Sequence, residues 1–209
     1  KIFSHQYQPQ GITTVAIIQE SSFVLHSYPE QKFMSADFFS CGTKAQPEKG
    51  IKYLLDVLNP KEHYAQKILR GGNTSLEISP MVKKTKSKVF GYEALIDNYF
   101  SRPNKLINDV EYMYDFLDNL VGMLKMEKQA PPFIFRTDEK RFPDKAGLSG
   151  WLPLAESGIS VHSIIKPPFL SLNVYSCRKF EIQEVVNFIK KSFNPKDIDL
   201  QFVLRGVQF

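Results

Sequence analysis

Gly11-Ile12-Thr13-Thr14, then Glu20-Ser21-Ser22-Phe23-Val24-Leu25-His26, then Ser40-Cys41-Gly42 is a stretch that this chain contains twice. Its second copy reads Gly147-Leu148-Ser149-Gly150, Glu156-Ser157-Gly158-Ile159-Ser160-Val161-His162 and Ser176-Cys177-Arg178. Gly to Ser is ten residues in both copies, Ser to His five, and Ser to Cys twenty. The distance from Ser21 to Arg70-Gly71 matches that from Ser157 to Arg205-Gly206 within one residue. Chance does not keep such spacing gap-free over about thirty residues, so the internal repeat frames everything else.

The residues around each copy give the elements. Ile12 to Ile18, Phe23 to Tyr28 and Phe33 to Phe39 read as strands, with a turn at Pro29-Glu30. Ile51, Leu54, Leu55 and Leu58 share one helical face, so Pro47 to Leu58 is predicted as an amphipathic helix that Pro60 stops. His63 to Arg70 is expected to return as a strand. In the second copy, strands are expected at Val89 to Tyr99, Phe133 to Arg136, Leu148 to Leu154, Ile159 to Ser163, Phe169 to Ser176 and Ile198 to Leu204. Helices are expected over Leu106 to Met126 and Glu181 to Ser192. Residues 1–71 therefore form a first repeat, 72–88 a polar linker and 89–209 a second repeat. Phe90 to Ser157 spans 67 residues but only twenty precede Ser21, so the first repeat is expected to want an opening strand and helix. On that count the natural protein begins earlier than Lys1.

Composition narrows the class. The chain has 209 residues, 43% of them hydrophobic, with 17 Phe and 9 Tyr, which suffices for one large or two small globular domains. No apolar run reaches the roughly 18 residues of a membrane span, and Lys1 to His5 does not read as a signal peptide. The net charge of +5 is dispersed apart from Lys83-Lys84-Thr85-Lys86-Ser87-Lys88, which reads as a solvated linker rather than a nucleic-acid patch. The two cysteines occupy the same repeat position, and in a cytoplasmic chain both are expected to stay reduced.

The blocks resemble those of S-adenosylmethionine decarboxylases. They are Gly11-Ile12-Thr13, Glu20-Ser21, His26-Ser27-Tyr28-Pro29-Glu30 and Ser40-Cys41-Gly42, then Gly147-Leu148-Ser149-Gly150, Glu156-Ser157, His162 and Tyr175-Ser176-Cys177. In that family one unit per chain dimerises in the small form, and the eukaryotic form fuses two. The resemblance implies an α/β (α+β) fold, an αββα sandwich of two homologous units with mainly antiparallel sheets. It implies that a Glu-Ser bond cuts itself, leaving a pyruvoyl group made from Ser157 or Ser21. That ketone joins the substrate amine as a Schiff base and acts as electron sink when CO2 leaves. The family needs no metal. S-adenosylmethionine is the implied substrate and spermidine synthesis the implied destination.

The same resemblance shares each site between two units. One composite site would join Glu20, Ser21 and Cys41 to Ser149 and His162, with Phe142 beside the aromatic position and Lys166 where the family has a carboxylate for the ribose diol. The other would join Glu156, Ser157 and Cys177 to Thr13, His26, Glu30 and Tyr7. In these roles a hydroxyl and a histidine move protons, a cysteine reprotonates the product carbon, a carboxylate accepts from the diol and aromatic rings hold adenine. The second site keeps every residue type except that Thr13 replaces Ser, so Ser157 is the favoured cleavage point. Without the repeat, Ser21 and Ser157 read as ordinary strand residues, Cys41 and Cys177 as inert thiols, and His26 and His162 as satisfied core histidines. Glu30 and Lys166 then read as surface charges. A homologue that is never cut and serves a partner, or a pyruvoyl decarboxylase of arginine or ornithine, are the alternatives. A monomer or homodimer fits either.

Overall fold

A computed structural model describes residues 2–18, 21–40, 46–71, 89–155 and 157–206. Glu20, Cys41, Glu156 and the lysine run at 83–88 lie outside the described residues. The chain splits into two compact units, Lys1–Gly72 and Asn73–Phe209.

The second unit is a six-stranded antiparallel sheet carrying two helices. Its strands are β5 (Gly91–Tyr99), β6 (Phe133–Arg136), β7 (Leu148–Leu154), β8 (Ser157–Ile164), β9 (Phe169–Ser176) and β10 (Asp197–Arg205), in the order β10-β5-β9-β8-β7-β6. Its helices are α2 (Val110–Leu124) and α3 (Ile182–Phe193). Successive strand residues point to opposite faces. One face carries Leu148, Leu152 and Leu154, Ile159 and Val161, Leu170, Leu172 and Val174, Ala94 and Ile96. These pack against Met113, Phe116, Leu117, Leu120 and Val121 of α2 and Val185, Ile189 and Phe193 of α3. Each such side chain stabilises the fold by about 1.5–3 kcal/mol once fully buried.

Helix α2 is shorter than its sequence suggested. The predicted helix from Leu106 is broken at Asp109, whose backbone is extended and whose carboxylate accepts from the Tyr112 N–H at 3.0 Å. Residues Lys105–Asn108 form a separate 3₁₀ turn, begun by Asn104 accepting from the Leu106 N–H. Two capping side chains five residues apart thus divide one apolar run into two elements.

The first unit holds β1 (Ile2–Gln6), β2 (Ile12–Ile18), β3 (Ser21–Tyr28) and β4 (Phe33–Ser40), ordered β1-β2-β3-β4, followed by α1 (Pro47–Leu58). β1 was not expected from sequence. It pairs with β2 through His5 opposite Thr13, the place that β6 takes beside β7 with Phe135 opposite Ser149. The strand expected at His63 to Arg70 is absent: those described residues form none. Its counterpart β10 pairs only with β5, and the described residues of the first unit include no strand equivalent to β5. Helix α1 likewise buries none of its residues, with Tyr53 and Val57 more than 60% exposed. A charge pair from Lys67 to Glu48, 2.6 Å, ties the segment to α1 and holds the exposed Glu48 carboxyl below its ordinary value.

The repeat recurs in three dimensions at a constant offset. The Ile12 N–H donates to Ser27 Oγ at 2.9 Å, and the Leu148 N–H donates to Ser163 Oγ at 2.8 Å. Gly11 and Gly147 precede those donors where the chain crosses the next strand closely. A Cβ at Gly11 would lie 3.0 Å from the Ser27 carbonyl oxygen, and one at Gly147 only 2.0 Å from that of Ser163. Only glycine lets β2 and β7 start that close to their neighbours.

Candidate active site

The face of the second sheet turned away from α2 and α3 is polar yet buried. Ser149, Ser160, His162, Ser171, Asn173, Asp97 and Glu93 are all no more than 8% exposed. Buried polar groups cost free energy unless they are bonded, so such a face is not a core-building device. One row crosses four strands: Ser149 on β7 faces His162 on β8, which faces Ser171 on β9, which faces Asp97 on β5. Ser149 Oγ lies 3.0 Å from His162 Nδ1.

The first unit repeats the row's start. Thr13 on β2 faces His26 on β3, which faces Ser35 on β4. Thr13 Oγ1 lies 2.8 Å from His26 Nδ1, and all three residues are buried. Tyr7, just past β1, brings its hydroxyl to 3.2 Å from Thr13 Oγ1. Each hydroxyl–imidazole pair can pass a proton in either direction according to the ring tautomer. The methyl group of Thr13 does not prevent the contact.

The two serines of the Glu-Ser steps sit elsewhere. Ser157 opens β8, buried at 3%, and faces Ser176, the last residue of β9. Cys177 follows at once, half-buried, so the twenty-residue spacing brings Ser157 and Cys177 to the same end of adjacent strands. The five-residue spacing does the opposite. It carries His162 about 16 Å along β8 and, being odd, turns it to the other face. Ser21 has the same relation to His26 on β3, and its Oγ donates to Ser40 Oγ at 3.2 Å. Within either unit, then, the hydroxyl–histidine pair and the serine of the Glu-Ser step are kept apart.

The remaining expected residues are placed as follows. Glu30 lies exposed in the 3₁₀ turn Pro29–Gln31 after β3, and Lys166 lies exposed in the turn between β8 and β9. Phe142 precedes the turn Pro143–Lys145, with the Arg141 guanidinium 5.3 Å from its ring centre. Tyr7 reaches its unit's hydroxyl–histidine pair directly, whereas the contact described for Phe142 is with Arg141.

Several residues here were not foreseen. Ser35 and Ser171 occupy one repeat position and extend both rows; comparing the copies for buried serines would have found them. Beside Cys177, the Tyr175 hydroxyl lies 3.8 Å from Sγ. Arg205 donates to the buried Glu93 carboxylate, and its guanidinium lies 5.9 Å from the Tyr175 ring centre. Sequence spacing marked Cys177 and Arg205 but not that they form one cluster, because its members come from β5, β9 and β10.

The family model described as S-adenosylmethionine decarboxylase matches residues 1–71 and 93–206. An S-adenosylmethionine decarboxylase proenzyme of Brevibacillus brevis is 37% identical over 78 residues, 37% of this chain and 59% of that protein. Proenzymes of the same name from Synechococcus and Thermococcus gammatolerans are 35% identical over 69 residues and 36% over 66. Those matches cover 33% and 32% of this chain, and 54% and 46% of the relatives. The chain thus spans about half the length of the curated relatives it matches. The crystal structure of an adenosylmethionine decarboxylase from Aquifex aeolicus aligns with a TM-score of 0.49 at 24% identity, covering 58% of this chain and 94% of that one.

Proposed function

The chain belongs to the S-adenosylmethionine decarboxylase family, and on that premise we propose that it cuts itself at Glu156–Ser157 and decarboxylates S-adenosylmethionine. The observation that carries the reading is the pair of hydroxyl–histidine contacts, 2.8 and 3.0 Å, at one register in both repeats. Ser157 suits the cleavage: it is buried, it opens β8, and it lies at the same end of adjacent strands as Cys177.

The pyruvoyl group left at Ser157 would supply a ketone that takes up the substrate amine and draws off the electron pair released with CO2. The protein's own residues do the rest. Ser157 Oγ attacks the carbonyl of Glu156 and the peptide C–N bond breaks to leave an ester; β-elimination frees the Glu156 carboxylate, and hydrolysis of the remaining enamine releases ammonia and leaves the ketone. A Thr13–His26 pair from a first repeat handles the proton at Oγ, because His162 faces away on the same strand. Cys177 Sγ gives its proton to the product carbon. The exposed carboxylate of Glu30 accepts from the ribose diol, and the Tyr7 ring lies against adenine. The product would feed aminopropyl transfer to spermidine.

Lys166 supports a second reading for the other half. An ammonium stands exposed where Glu30 stands in the first repeat and cannot accept from a ribose diol, so a site built on Ser21 would differ in the substrate it recognises, as in a pyruvoyl decarboxylase of another amino acid such as arginine or ornithine. A chain never cut at either bond would act instead as a binding partner. We also place the protein in the cytoplasm, as monomer or homodimer; no helix among the described residues is long and apolar enough to cross a membrane.

Intact-mass analysis decides the main point. Two fragments divided before Ser157, the second taking up borohydride or hydroxylamine, are expected, and Ser157→Ala keeps the chain whole. A full-length chain that resists both reagents sinks the proposal. Release of CO2 from carboxyl-labelled S-adenosylmethionine, arginine and ornithine separates the substrates.

A further inference from the structure

Tyr175 occupies a prepared position. It is 7% exposed and lies opposite Glu93 across the β5–β9 ladder. Its ring rests on the backbone at Gly91: a Cβ there would come within 2.7 Å of the ring edge and 2.9 Å of the hydroxyl oxygen. Any other residue at that position would displace the ring. From the next strand the Arg205 guanidinium reaches the ring, and it is held there by the Glu93 carboxylate, itself 4% exposed. Three strands thus converge to fix one phenol, and that phenol's hydroxyl lies 3.8 Å from Cys177 Sγ, within the longer reach of a hydrogen bond to sulfur.

We propose that Tyr175 is a positioning residue for Cys177, its hydroxyl donating to the sulfur and stabilising the thiolate that remains once the thiol has given up its proton. The inference rests on the reading of Cys177 as the proton donor. In that step the S–H bond breaks, a C–H bond forms on the product, and the sulfur keeps the electron pair; the tyrosine keeps its own proton. A hydrogen bond to a charged acceptor is about twice as strong as one to a neutral acceptor, so the hydroxyl favours the thiolate over the thiol. The charged groups on the neighbouring elements are Glu93 from β5 and Arg205 from β10, which pair with each other, and Arg178, Lys179 and Glu181, which follow Cys177 in sequence ahead of α3. Opposite Tyr175, β8 presents Gly158, which carries no charge. With Arg205 paired to Glu93, the Tyr175 hydroxyl at 3.8 Å is a described contact of the sulfur that favours thiolate over thiol.

The test titrates Cys177 itself. The full chain carrying Ser157→Ala is alkylated with iodoacetamide across a pH series, and modification of the Cys177 peptide is followed by mass mapping, which separates it from Cys41. Tyr175→Phe is expected to raise the alkylation midpoint by about one pH unit, slowing the reaction about tenfold below the midpoint. Glu93→Gln is expected to lower the midpoint by unmasking Arg205, and Arg205→Gln to raise it by unmasking Glu93. A Tyr175→Phe profile that superimposes on the parent overturns the inference. So does a shift of the same sign in Glu93→Gln and Arg205→Gln, which would report general loosening instead of charge. Because the serine is already removed, these readouts do not depend on cleavage, and failure of the decarboxylase reading leaves a distinct signature in the intact mass.

Discussion

Replacing Thr13 by valine keeps the shape of the side chain and removes one hydroxyl. Thr13 is 3% exposed, and its hydroxyl makes two contacts, 2.8 Å to His26 Nδ1 and 3.2 Å to the Tyr7 hydroxyl. Losing one buried hydrogen bond and leaving a ring nitrogen without its partner costs about 2–3 kcal/mol. A domain with about 5–15 kcal/mol of stability still folds. If this pair handles the proton during cleavage before Ser157, Thr13→Val slows the cut by about 10²–10⁴-fold. The assay is intact mass against time after synthesis, with urea unfolding of each variant alongside. Ser149→Ala is the matched control, since it breaks the 3.0 Å contact to His162 at the same burial. It should cost a similar amount in urea and leave the cut before Ser157 at the parental rate. Thr13→Ser should restore cleavage. Equal slowing in Thr13→Val and Ser149→Ala, or none in Thr13→Val, refutes the assignment of the first repeat's pair to Ser157.

Three further outcomes follow from packing. Gly147→Ala should destabilise the second unit by about 3 kcal/mol or more in urea, because its methyl would meet the Ser163 backbone at 2.0 Å, whereas Gly122→Ala, with nothing within 4 Å, should stabilise α2 by about 0.5–1 kcal/mol. Leu152→Ala, at a fully buried core position, should cost about 2–5 kcal/mol, and Val57→Ala on the exposed face of α1 close to nothing, both read by thermal melting. Asp109→Ala should lower stability by about 1 kcal/mol through loss of the cap on α2, with asparagine at the same position largely preserving it.

The sequence was most informative where local pattern and tertiary environment agree. Leu148–Leu154, Phe169–Ser176 and Pro47–Leu58 appear with the bounds their apolar patterns suggested, and the mixed α+β class with antiparallel sheets is what the chain adopts. The pattern misled where pairing decides. His63 to Arg70 has strand-like composition, but a strand needs a neighbour to bond, and composition cannot report one. The break at Asp109 shows the converse, a capping side chain overriding an apolar period that runs through it. For the candidate site, spacing alone picked out the residues that recur, Thr13 with His26 and Ser149 with His162. It could not show that odd spacing turns each histidine away from the serine five residues before it. It marked Tyr175 and Arg205 as parts of repeated blocks but was silent on Glu93 and on their meeting, which happens because β9, β5 and β10 lie side by side.

The count of five between Ser157 and His162 has a consequence for how such a chain can change over generations. A strand has no slack: one residue added or lost between those positions would swing the histidine onto the side packed against α2 and α3 and push an apolar residue into its place. Drift in length must therefore be confined to the turns, as between Ile164 and Phe169, while β8 itself admits exchange of residues but not of their number. A duplicated gene can lose a pair by substitution in one copy and still keep the frame of both. The two copies here match in spacing even where one carries Glu30 and the other Lys166.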